Sequence, residues 1–126
     1  MRQSTSAALA ALVALSAAGS ASAAGDAITG SWAVHGKVSV FQFTLTCHFE
    51  QMGQRLGGVC YDGGTNKPHP LTWGEVSGDH VSWTYQSNYL LKTFDATYSG
   101  TLSNEVIRGS VTAPGHDGNF TAMKQP

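Results

Sequence analysis

The stretch "FQFTLTCHFEQMGQRLGGVC" (Phe41–Cys60) decides the fold. Phe41, Phe43, Leu45, Cys47 and Phe49 alternate with Gln42, Thr44, Thr46, His48 and Glu50. Successive side chains of a strand point to opposite faces, so this run reads as a strand with one apolar and one polar face. Gly53-Gln54 then puts glycine at the first central position of a two-residue type II′ turn. Counting outward from that turn sets Met52 opposite Arg55, Glu50 opposite Gly57 and Cys47 opposite Cys60. Both cysteines share the apolar face, and the pairing predicts a disulfide across a hairpin. There is no second cysteine pair to complete a zinc site, and the spacing is not the C-x-x-C of a redox motif.

The same logic extends along the chain. A turn at Gly78-Asp79 pairs Val76 with Val81 and Gly74 with Trp83. A turn at Asn104-Glu105 pairs Leu102 with Ile107, Gly100 with Gly109 and Tyr98 with Val111. Turn chemistry and period-two patterning agree in each case. Eight strands are expected, at about 28–35, 39–51, 55–62, 69–77, 80–87, 91–103, 106–113 and 118–124. The expected fold class is all-β: an antiparallel up-and-down barrel of about eight strands in a single domain, closed so that no edge is exposed. A flat sandwich is the alternative. The inner face is read as Trp32, Phe41, Phe43, Phe49, Trp83, Tyr85, Phe94, Tyr98 and Phe120, with glycines opposite the large rings. One end carries the three tight turns and both termini. The other is expected to carry longer loops: 35–37, 62–69, 86–90 and 114–118. Function is sought there, because binding residues concentrate on loops held by a rigid scaffold.

Residues 1–23 read as a signal peptide, with Arg2, an uncharged Ala/Leu-rich core over Ala7–Ala18 and an A-x-A site at Ala21-Ser22-Ala23. Residues 24–126 are then the barrel domain, and the protein is expected to be exported, periplasmic or extracellular. The apolar run is shorter than the ~20 residues of a membrane span, so no membrane anchor is expected. Seven basic residues against eight acidic ones give a net charge of −1 and no footprint for nucleic acid or polybasic membrane patch. An oxidising compartment fits paired cysteines.

Gly30-Ser31-Trp32, opening the first strand, resembles the G-x-W of calycins, the lipocalin and avidin superfamily. "ITGSW" (28–32), "VSWTYQSNY" (81–89), "DATYSG" (95–100) and "HDGNFTA" (116–122) resemble avidin segments in the right order. The resemblance implies a barrel-end plug in which Lys124 packs over Trp32. It implies ligand-contacting roles for Trp83, Tyr98 and Asp117. Val34 and Val38 stand where it implies Asn and Ser, Cys60 stands near the expected Tyr, and Phe94 and Ala96 replace Ser and Thr. A pocket without its polar anchors loses most of its affinity, which argues against biotin. Secreted metalloprotease inhibitors are also similar in size, G-x-W and single disulfide. Their N-terminal trunk would correspond here to the short "AGDA" (24–27), and the cysteine spacing differs.

His35, His69 and His116, with Asp62 and Asp117, fall at the long-loop end, but without the close spacing of a metal motif. They are read as loop residues facing water, and no metal or cofactor is expected. No G-x-S-x-G elbow or free cysteine points to catalysis. The expected function is a non-catalytic binding module, not an enzyme. A small apolar or amphipathic ligand would lie in the open end, against Trp83, Tyr85, Phe94, Tyr98 and Asp117. A protein-binding barrel or an envelope module without a small ligand is the alternative. Outward Trp73 offers a contact for a homo-oligomer.

Overall fold

The computed structural model describes residues 27–89 and 91–126. The predicted signal peptide and Leu90 lie outside the described residues. Eight strands follow one another: β1 (Gly30–Val38), β2 (Phe41–Met52), β3 (Arg55–Asp62), β4 (Pro68–Ser77), β5 (His80–Tyr89), β6 (Lys92–Ser103), β7 (Val106–Ala113) and β8 (His116–Lys124). Each is antiparallel to the next, and β8 returns to pair with β1, closing one barrel. The expected register holds at the three tight turns: Cys47 faces Cys60, Gly74 faces Trp83, and Tyr98 faces Val111. Cys47 and Cys60 are disulfide-bonded and fully buried, as an oxidising environment permits.

The long-loop end differs from expectation. Segment 35–37 belongs to β1, which pairs with β2 as far as Val38↔Phe41. Segment 86–89 belongs to β5, which pairs with β6 as far as Tyr89↔Lys92. Residues 116–118 belong to β8, after a turn at Pro114-Gly115. Only the β3–β4 connection is longer than a two-residue turn, and Lys67 O and Asp62 O accept hydrogen bonds from the Asp62 and Asn66 amides within it. Phe41 keeps the expected inward parity but is 66% exposed, because it sits at the hairpin tip beyond the barrel rim.

The core follows the predicted face. Trp32, Val34, Val81, Trp83, Tyr98 and Ile107 are all buried, with glycines giving them room. Gly100 and Gly109 face each other across β6 and β7, and a Cβ on Gly109 would collide with the Ser99 carbonyl. Glycine there lets two backbones approach where the barrel wall bends.

The β4 strand breaks the alternation. Its register against β5 shifts between Leu71↔Tyr85 and Trp73↔Thr84, and its pairing with β3 is irregular between Arg55 and Val59. This β-bulge leaves Thr72 and Trp73 both facing out. Beyond it the inward parity is reversed, so Leu71 and His69 turn toward the core.

Candidate functional site

At the closed end the N-terminal segment acts as a lid. Ile28 is fully buried; its amide donates to Gln51 Oε1 at 3.2 Å, and its carbonyl accepts from Trp32 Nε1 at 2.8 Å. Lys124 Nζ lies 6.0 Å from the Trp32 ring centroid and donates to the Ala27 carbonyl at 3.1 Å. The cation stacks on the indole face and keeps one hydrogen bond, which closes this end of the barrel.

A column of rings runs from there toward the other end. Phe49 and Phe120 pack tilted and edge-on to Trp83, with centroids 4.8 and 5.3 Å away. Trp83 stacks on Tyr98 at 5.0 Å with the planes 7° apart. The Tyr98 hydroxyl meets that of Tyr85 at 2.8 Å. Tyr85 stacks on the His69 ring at 4.8 Å. His69 Nε2 is 3.1 Å from Asp62 Oδ1, and its Nδ1 is 3.2 Å from the Gln86 carbonyl. His69 is 4% exposed, whereas Asp62 is 38% exposed at the rim. Half-buried Val38, Phe43, Leu71 and Phe94 pack around this end of the column.

The site residues expected from the sequence divide accordingly. Trp83, Tyr85 and Tyr98 are brought together in the column, and Phe94 borders it. Asp117 does not join them. It is exposed, opposite Thr112, and has the opposite parity to buried Phe120 and Ala122. His35 and His116 are exposed as well. His69 departs from the water-facing reading, because the bulge turns it inward. Sequence alternation counted back from Gly74 points His69 outward.

Burial dictates the chemistry of the column. Desolvation, partly offset by the hydrogen bond from Tyr98 and reinforced by the Asp62 charge, pushes Tyr85 up to about 12. Desolvation, followed by the influence of Tyr85, pushes Tyr98 well above the ordinary tyrosine value. Both hydroxyls therefore stay protonated at neutral pH. A pair of hydroxyls uses one proton between its members, so one donor remains for a third group. Trp83 Nε1 is a buried donor with no hydrogen-bond partner among the described residues.

Two depressions mark the outer wall. One, of about 420 Å³, lies where β2, β1 and β8 meet; His35, Lys37, Gln42 and Asn119 line it with the rings of Phe43 and Phe120, and the Phe43 ring lies over Gly36. The other, of about 450 Å³, follows the β4 bulge past Trp73. The first reaches the ring column through Phe120, which packs edge-on to Trp83, and through Phe43, which packs edge-on to Tyr98. The second touches none of the column's rings. Comparison of the chain with protein-family models, curated proteins and solved structures finds no match. The closed eight-stranded antiparallel barrel is consistent with calycin-like folds.

Proposed function

We propose that the chain is an exported, non-catalytic binding module whose ligand is a small amphipathic molecule seated at the rim above Tyr85. One observation carries this reading: a chain of polar groups runs from Asp62 at the rim to buried His69, which stacks on Tyr85, and on to Tyr98, at the mouth of an otherwise apolar barrel. Phenylalanine would fill the same space without desolvating two hydroxyls and an imidazole, and burying polar groups costs free energy unless they are paired. The apolar body of the ligand lies against Val38, Phe43, Leu71 and Phe94. Its acceptor takes the unspent hydroxyl proton. A few convergent polar groups within an apolar ring is the usual composition of a small-molecule site. The signal-like N-terminus and the disulfide support export.

The calycin resemblance supports the end of the barrel chosen, but the avidin anchors are absent, and Asp117 plays no part in the site. The inhibitor alternative is less well supported. Its trunk would begin beside Ile28, which is buried under Trp32.

The test is a titration of intrinsic tryptophan fluorescence with a medium-chain fatty acid, the matching alcohol and the matching alkane. The acid and alcohol are expected to bind and the alkane to bind more weakly. Tyr85→Phe should weaken the polar ligands by about threefold to tenfold, the worth of one hydrogen bond. Equal affinity for all three compounds, or an unchanged affinity in Tyr85→Phe, would refute the site.

A further inference from the structure

Two hairpin tips at the open end, β1–β2 and β5–β6, are built differently from the other turns, whose positive-φ positions at this same end are held by Asn66 (φ 59°) and Gly115 (φ 80°). At the closed end the left-handed turn positions are held by Gly53 (φ 63°), Gly78 (φ 61°) and the polar pair Asn104-Glu105 (φ 52° and 62°). The glycines and Asn104 suit their backbone, and Glu105, which does not, is at least polar and exposed. At the open end Ser39 (φ 56°) takes such a position and is followed by Val40 and Phe41, 80% and 66% exposed. Leu91 is held at φ 71° with its side chain fully in solvent. A branched apolar residue there costs about 1–2 kcal/mol in the backbone and gains nothing from burial. Asparagine or glycine would serve the fold better. Strain of this kind, at an exposed tip, points to a role outside the fold.

The basic side chains divide between the two ends, with Arg55, Arg108 and Lys124 toward the closed end, but those at the open end stand beside the apolar tips. The chain has four lysines, and Lys37, Lys67 and Lys92 all stand at the open end. Lys92 follows Leu91 directly, Lys67 lies in the β3–β4 turn, and Lys37 is one register step below the Val38–Phe41 pair. The acids at this end are Asp62, bonded to His69; Asp117, one step below the β7–β8 turn; and Asp95, three steps below the β5–β6 turn. Lys37 and Lys92 are thus the outermost charges of the two hairpins that carry the apolar tips, and Lys67 stands in the β3–β4 connection at the same end. Glu75, Asp79 and Glu105 lie at or near the turns of the opposite end.

We propose that Val40, Phe41 and Leu91, ringed by Lys37, Lys67 and Lys92, seat the open end of the barrel on an anionic lipid surface. Apolar side chains insert into the headgroup boundary, and each lysine near an anionic leaflet adds attraction that salt screens. Apolar tips on two separate hairpins, β1–β2 and β5–β6, turn the open end of the barrel toward the membrane. The inference stands whether or not the barrel mouth holds a ligand.

The experiment is co-sedimentation of the folded protein with vesicles of phosphatidylcholine alone and of phosphatidylcholine mixed with phosphatidylglycerol. The protein should pellet with the mixed vesicles at low salt and be released by high salt. Lys92→Gln should weaken that binding by about fivefold. Leu91→Asn should weaken it by about tenfold, while its melting temperature holds or rises because asparagine accepts a positive φ. Phe41→Thr should act like Leu91→Asn on binding and keep the strand. Loss of binding without loss of stability supports the proposal. It fails if the wild-type protein stays in the supernatant with phosphatidylglycerol present, or if Leu91→Asn and Phe41→Thr pellet as the wild type does.

Discussion

Tyr85 and Tyr98 share one short hydrogen bond in the core, and that bond ties stability to alkaline pH. An ordinary tyrosine ionises near 10.0, whereas burial lets folded Tyr85 hold its proton to about 12 and also holds Tyr98 well above the ordinary value. The folded state binds these protons more tightly than the unfolded chain does. Their contribution is therefore complete below about pH 10 and is lost as pH rises toward about 12, a loss of order 2 kcal/mol for Tyr85. Thermal midpoints followed by circular dichroism should fall across that window, and phenolate absorbance should show a late phase that denaturant moves earlier. In the Tyr85→Phe/Tyr98→Phe double variant the fall should flatten; a wild-type midpoint that does not move through the window would contradict the burial of the pair. Sequence alternation placed both tyrosines inward, because β5 and β6 pair without interruption from His80↔Thr101 to Tyr89↔Lys92. It missed their neighbour His69. A one-residue bulge reverses parity, and nothing about Leu71, Thr72 or Trp73 as residue types announces which of them is the extra one.

Hairpins were legible where their turns carry chemistry. Gly53-Gln54, Gly78-Asp79 and Asn104-Glu105 fixed register because each brings a glycine or an asparagine that accepts the positive φ those turns demand. The β1–β2 and β5–β6 hairpins were read as long loops for the converse reason: Ser39-Val40 and Leu91 do not look like tight-turn residues. The second hairpin, β2–β3, holds the disulfide, and its contribution can be separated from the turn. Cross-linking Cys47 and Cys60 removes loop entropy from the unfolded chain, by ~3 kcal/mol for a loop of about a dozen residues on the chain-entropy argument. Cys47→Ala with Cys60→Ala should lower stability by about that amount in a guanidinium titration, while the barrel still forms through the ladder from Leu45↔Asp62 to Met52↔Arg55. A double variant as stable as the wild type would show that the bond adds nothing the ladder does not already supply.

Closure is a property of the whole chain. Seven of the eight seams join neighbouring strands, and the period-two pattern with its turns was enough to foresee them. The eighth joins β1 to β8, the first and last strands, from Trp32↔Lys124 to Val38↔Gly118. That seam was foreseen only because an eight-stranded meander with apolar inner faces leaves two edges that closure removes. Its physics differs from that of the hairpins. A contact between chain ends pays almost the whole loop-closure entropy before it gains anything, so it should form late. Val34 and Val81 allow a comparison at equal burial, since both are fully buried. Val34 lies between Leu45 and Ala122 of the closing seam, whereas Val81 lies between Val76 and Gly100 of two local hairpins. Late closure predicts that Val34→Ala mainly speeds unfolding, and that Val81→Ala mainly slows folding. Chevron plots of both variants measure the two limbs directly. If Val34→Ala slows folding as much as Val81→Ala does, the chain ends meet in the transition state, and closure guides the hairpins rather than following them.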